Sequence, residues 1–221
     1  MHHNEKEAWS KIVKPDDLDL HMANIDQAQA NAGMVKEMFA KHPVKPAGKI
    51  LIHGCGTAQM FDYIAPTDLG THTQMTFADI SPEMIEKARE RLGSAGFFGK
   101  TLVDDIESTG IQDHHDAVLL TLVLLHTNWR LSLQNMLKLN PSSLYIIEQQ
   151  QAAGTSPFTK ERTLPPSILA YAQKFGPKLI HLPELTEFLQ HNGYKLEYQT
   201  RREVPDNKAM VGLVYKKLPK A

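Results

Sequence analysis

Three stretches of the chain carry chemistry-bearing residues at the ends of short apolar runs. Gly54-Cys55-Gly56 follows directly on Lys49-Ile-Leu-Ile-His53, Asp79 closes Gln74 to Ala78, and Asp104-Asp105 closes Thr101 to Val103. A glycine turn leaving a strand lets the backbone approach a ligand, and a helix N-terminus beyond it offers unpaired N–H groups. A carboxylate at the end of the next strand is placed to accept hydrogen bonds from ribose hydroxyls. The combination points to a nucleoside-containing cofactor. The dinucleotide pattern asks for a third glycine at position 59, where this chain has Gln59, which weakens a pyrophosphate reading.

His126, just past a long apolar run, lies where a substrate would approach, and an imidazole there can take a proton near neutral pH; the alternative is a histidine capping the strand end or the next helix. His21 reads as a solvated or capping residue, His53 as a core histidine and Cys55 as a small residue filling the turn. The adjacent pair His114-His115 would point to opposite faces of a strand, so no metal site is expected there. Met34, Met38 and Phe39 read as core.

The elements that must hold these groups follow from periodicity. Ala28, Ala32, Val35 and Phe39 mark one face of a helix spanning Leu20 to Ala40, preceded by an amphipathic piece, Trp9 to Leu18, in which Pro15-Asp16-Asp17 is a helix-start signal. Ser81 and Pro82 open a helix in which Met84, Ala88 and Leu92 stack on one face and which ends at Gly93. His115 to Val123 is too continuously apolar to be half exposed and reads as a central parallel strand. A helix from Trp129 to Leu139, a strand from Leu144 to Glu148, a helix from Pro183 to His191 and an antiparallel pair, Leu196 to Arg201 with Val211 to Lys216, complete the series. Alternating strands and helices predict a doubly wound α/β sheet. Gln151 to Ile180 breaks the rhythm and reads as an insertion whose Phe158, Lys160, Arg162, Tyr171 and Phe175 form either an aromatic wall with a cation or a solvated loop.

Composition bounds the partners. The 221 residues fit one large domain, divided as a helical lid (1–45), a cofactor-binding core (46–150), a substrate-covering insertion (151–181) and a C-terminal helix with a strand pair (182–221). With 24 Lys+Arg against 25 Asp+Glu there is no cationic field to hold a phosphate backbone, so no nucleic-acid partner is expected. A single cysteine excludes an internal disulfide, and no apolar run approaches the ~20 residues of a membrane span, so a cytoplasmic chain without a membrane partner is expected, as monomer or homodimer.

The ordered series Ile50-Leu-Ile-His-Gly-Cys-Gly-Thr57, Phe77-Ala-Asp-Ile-Ser-Pro-Glu-Met84, Asp105-Ile106 and Asp116 to His126 resembles the class I S-adenosylmethionine-dependent methyltransferases, and the likeness runs over roughly residues 48 to 216. The resemblance implies a Rossmann-like, mostly parallel seven-stranded sheet with one antiparallel C-terminal strand and a helical N-terminal segment. It implies S-adenosylmethionine as cofactor, S-adenosylhomocysteine as product and a small-molecule acceptor methylated on oxygen or nitrogen. It also implies that the backbone of Gly54, Cys55 and Gly56 faces the methionine part and that Asp79 holds the ribose. Ile80 and Met84 would pack on adenine, Asp105 and the Ile106 amide would read its edge, and Thr121 would end the groove, with His126 as the candidate base. Two positions depart from the family pattern: Ile52 stands where an acidic residue is usual, leaving the cofactor's ammonium to carbonyls, and Ala58 stands where a third glycine is common. The Asn/Asp-Pro-Pro-aromatic motif of enzymes that methylate base amino groups is replaced by Thr121-Leu-Val-Leu. The competing readings are a non-catalytic cofactor-binding module, favoured by Ile52, and a nicotinamide oxidoreductase, disfavoured by Gln59.

Overall fold

The structure, a computed structural model, describes residues 3–71, 73–151, 164–175, 178–205 and 208–219. Three helices come first: α1 (His3–Ile12), α2 (Pro15–Asn24) and α3 (Gln27–Lys41). Then β1 (Lys49–His53), β2 (Gln74–Asp79), α4 (Pro82–Ser94), β3 (Gly99–Val103), β4 (Ala117–Thr121), α5 (Trp129–Lys138) and β5 (Ser143–Gln151) alternate as the apolar pattern predicts. The chain ends in α6 (Pro166–Lys174), α7 (Leu182–His191), β6 (Tyr194–Val204) and β7 (Lys208–Lys217).

The seven strands form one sheet in the order β3-β2-β1-β4-β5-β7-β6. β1 to β5 are mutually parallel, and β7 enters antiparallel between β5 and β6. The doubly wound sheet with a single reversed C-terminal strand is the expected class. Its central strands are buried on both faces, which is why Leu119, Leu120, Ile146 and Ile147 carry no polar alternation. One face packs Met34, Val35, Met38 and Phe39 of α3 against Phe77, Tyr145 and Val214, so the two methionines are core. The other face packs Leu133 and Met136 of α5 and Leu185 and Leu189 of α7 against Leu120 and Ile146.

Two expectations change. The single helix expected from Leu20 to Ala40 is two helices, because Asp26 takes a left-handed backbone (φ 53°) and turns the chain with no glycine or proline to mark the break. β4 is shorter than expected, ending at Thr121, because Leu122 is also left-handed (φ 58°) and leads into a single tight turn, Leu124–His126. Among the described residues no helix is long and apolar enough to cross a membrane.

Candidate active site

In a doubly wound sheet ligands bind beyond the C-terminal strand ends where the strand order reverses. Here that point lies between β1 and β4. A cavity open to solvent at its mouth occupies it. α1 and α2 close it from above, so Lys6, Trp9, Leu18 and His21 join the strand ends in its lining.

The glycine turn is anchored to the neighbouring strand: Gly54 and Cys55 donate their backbone N–H groups to the Ala78 carbonyl at 2.8 and 3.0 Å. Gly54 has φ 73°, and a Cβ there would lie 2.5 Å from Val123, so only glycine lets the segment after β4 come this close. Ala58 adopts the left-handed conformation (φ 59°) that a glycine would take at lower cost, about 1 kcal/mol. Asp79, 4% exposed, accepts the Gly56 N–H at 2.9 Å and the Ser81 N–H at 3.0 Å. Burial raises its pKa above the usual carboxylate value despite those bonds. Burial, and then the Asp79 carboxylate, push the Cys55 thiol well above its ordinary range, so it stays protonated as a filler of the turn.

At the end of β3 the two carboxylates are both engaged. Asp104 accepts from the ring of the buried His53 at 2.8 Å and from the Gly110 N–H; burial opposes its ionisation, but these bonds outweigh it and hold its pKa low. Asp105 is met by the Lys6 ammonium of α1 at 2.6 Å and by Ser108 and the Glu107 N–H, and these likewise outweigh burial and lower its pKa. α2 is fastened by its Asp19, which pairs with Arg91 and Lys87 of α4 at 2.7 Å each and accepts from Thr57; against burial, these hold its pKa low.

Past β4, His126 lies against α1. Its ring is 4.7 Å from that of Trp9, and its Nδ1 is 3.0 Å from the Tyr171 hydroxyl, which donates to Glu5 at 3.3 Å. Since the single hydroxyl proton points to Glu5, His126 must donate from Nδ1, which leaves Nε2 as its proton-accepting nitrogen. Burial, followed by the Lys178 charge, lowers the His126 pKa to about 3, so it is neutral throughout the physiological range.

Of the residues singled out from sequence, Gly54, Cys55, Gly56, Asp79, Ile80, Asp105, Ile106, Thr121 and His126 all line the cavity. Met84 does not: one turn into α4, it is fully buried against Ala8, Val13, Ile168 and Tyr171 beneath α1 and α6. His21, expected in solvent or at a cap, lines the cavity, where burial and then the Lys208 charge lower its pKa to about 4. Tyr171 of the expected insertion also lines it and Phe175 packs beside Tyr171, while Phe158, Lys160 and Arg162 lie outside the described residues.

Sequence reasoning missed one feature. Asn31 (both side-chain amide atoms), Gln149 Nε2, Gln59 Oε1, Thr121 Oγ1 and His53 Nδ1 are buried without a hydrogen-bond partner among the described residues, and all five residues line this cavity. A buried polar atom left unpaired costs about 1–3 kcal/mol, so their concentration here marks a surface completed by a polar ligand. Asn31 had a legible signal: it is a polar residue on the inward stripe Ala28, Ala32, Val35.

A glycine turn, a buried carboxylate at a strand end and apolar walls thus meet at the switch point of a doubly wound sheet. Residues 50–140 of the chain match the family described as "Methyltransferase domain". Over 97 residues it is 34% identical to a malonyl-[acyl-carrier protein] O-methyltransferase of Anoxybacillus flavithermus; the match covers 44% of this chain and spans only about a third of that relative. Solved structures of similar fold include the cyclase SpnF (14% identity, 87% of this chain and 82% of that one, TM-score 0.66). Others are a magnesium protoporphyrin IX methyltransferase of Synechocystis with S-adenosylhomocysteine bound (16%, 86% and 82%, 0.61) and an N-methyltransferase of Bradyrhizobium japonicum (14%, 88% and 88%, 0.60).

Proposed function

We propose that the chain binds S-adenosylmethionine in this cavity and transfers its methyl group to an oxygen or nitrogen of a small molecule. The observation that carries the reading is the set of unpaired buried polar atoms around a glycine turn and Asp79 at the β1/β4 switch point. The residues present fit such a group. The Gly54–Gly56 backbone would hold its amino-acid end and Asp79 its ribose diol. Ile80 and Ile106 would hold the base between apolar faces, with Asp105 at the base's amino edge and Thr121 Oγ1 left to complete its end. When bound, the cofactor supplies a methyl group on a sulfonium, activated for in-line displacement.

The chain's own task is then mainly alignment and exclusion of water, which such a displacement needs most. α1 and α2 are held over the cavity by the Lys6–Asp105 and Arg91–Asp19 pairs. His126, fixed by Tyr171 and Glu5, presents a neutral nitrogen that can take a proton from the acceptor; its low basicity suits an acceptor that needs little help in losing one. The relative's name, an O-methyltransferase, supports oxygen as one such atom.

A second reading, a cofactor-binding module without transfer, is favoured by Ile52, 2% exposed on the cavity wall where a carboxylate would steady the cofactor's ammonium. Incubation with labelled S-adenosylmethionine and a broad panel of hydroxy and amino compounds separates the two. Acceptor-dependent formation of S-adenosylhomocysteine supports transfer, whereas binding without product across the panel supports the module.

A further inference from the structure

The surroundings of His126 are set by contacts among three other side chains. The Trp9 ring lies 4.7 Å from the imidazole, and Tyr171 meets Trp9 edge-on at 5.3 Å. Ile168, one turn before Tyr171 on α6, packs in the same cluster as both. All four residues line the cavity, so they bound one recess of it.

The polar side chains bordering that recess are spent inside the protein. The Tyr171 hydroxyl accepts from His126 Nδ1 and donates to Glu5. Glu5 also takes the Lys178 ammonium at 2.6 Å. Thr127 donates to the Leu124 carbonyl and accepts from Ser132, and Lys6, one turn before Trp9 on α1, is held by Asp105. What the recess offers a ligand is aromatic and hydrocarbon surface and one acceptor, His126 Nε2, which has no hydrogen-bond partner among the described residues.

Building on the proposed methyl transfer, we infer that this recess is the acceptor subsite, that it takes an uncharged hydroxyl compound with a flat apolar body, and that Trp9 selects that body. A hydroxyl is the group that a neutral imidazole nitrogen can relieve of a proton. His126 Nε2 takes that proton as the oxygen gains the methyl carbon and the sulfur keeps the electron pair of the bond it loses. A fixed charge on the acceptor would be buried here with no counter-charge to meet it, and the extra hydroxyls of a polyol would be left unpaired. A planar ring can lie against the indole as the imidazole already does.

The test is calorimetry on the full chain saturated with S-adenosylhomocysteine, titrated with 2-naphthol, 6-hydroxynaphthalene-2-sulfonate and myo-inositol: an uncharged ring, the same ring with a fixed charge, and a polyol. 2-Naphthol is expected to bind roughly tenfold or more tightly than either of the others. Trp9→Ala is expected to weaken 2-naphthol about fivefold or more and Trp9→Phe less than about twofold, with S-adenosylhomocysteine affinity within about twofold of wild type in both. A charged or polyol probe that binds as tightly as 2-naphthol overturns the inference, as does no binding of 2-naphthol or an unchanged 2-naphthol affinity in Trp9→Ala. So does an equal loss of S-adenosylhomocysteine affinity in that variant, which would assign Trp9 to the cofactor or to holding α1 in place. If the wild-type chain itself fails to bind S-adenosylhomocysteine, the function proposed above falls first and takes this inference with it.

Discussion

Replacing Glu148 with glutamine perturbs the interior of the sheet without touching the cavity. The side chain is fully buried on β5, and neither carboxyl oxygen has a partner among the described residues. Burial raises its pKa from 4.5 to about 8. The folded chain therefore keeps a proton that the unfolded chain releases. Its favourable contribution is fully present below pH 4.5 and declines as pH rises through the window up to about 8. At about 1.4 kcal/mol per pH unit, the wild-type chain loses roughly 3 kcal/mol from this group by pH 7, and no more once pH passes the folded value. Glutamine keeps the shape and cannot ionise. Urea unfolding at pH 5, 7 and 9 should show stabilities within about 1 kcal/mol at pH 5 and a variant more stable by about 3 kcal/mol at pH 7 and about 5 kcal/mol at pH 9, with unchanged m-values. Parallel stability profiles for the two proteins would refute the assignment of Glu148 as a neutral, unpaired carboxyl.

Further outcomes follow from the site. Asp79→Ala removes the acceptor for the Gly56 and Ser81 N–H groups and the proposed ribose contact; S-adenosylhomocysteine binding measured by calorimetry should weaken at least tenfold, and unchanged affinity would take Asp79 out of the site. Gly54→Ala places a Cβ 2.5 Å from Val123 at a φ of 73°, so thermal unfolding should reveal a loss of about 2 kcal/mol or more, and a wild-type midpoint would contradict the described turn. Lys6→Met frees Asp105 from its ammonium, so S-adenosylhomocysteine should bind several-fold more tightly in a fluorescence titration; weaker binding would make Lys6 a contact for the ligand rather than its competitor.

The parts of the site that were legible in sequence are those set by local signals. The run into Gly54-Cys55-Gly56 and the step from Asp79 through the Ser81 cap to Pro82 each lie within a few residues, so strand, turn and helix start read directly. Asp26 and Leu122 hid their breaks because non-glycine residues took left-handed backbones that tertiary packing enforces. Met84 sits on the helical stripe that reads as apolar contact, but which face of α4 meets the cavity is decided by α1 and α6. The Glu5–Tyr171–His126 chain brings α1 to segments more than a hundred residues away, and although the α3 stripe marks Asn31, nothing within that element announces Gln149 across from it.

The central claim, a cavity built for S-adenosylmethionine, is tested most directly by titrating the wild-type chain with S-adenosylmethionine and S-adenosylhomocysteine in a calorimeter, with NADH as control. One-to-one binding of both in the micromolar range and no heat from NADH is the predicted result. A folded chain that binds neither ligand at high micromolar concentration, or that prefers NADH, would contradict it.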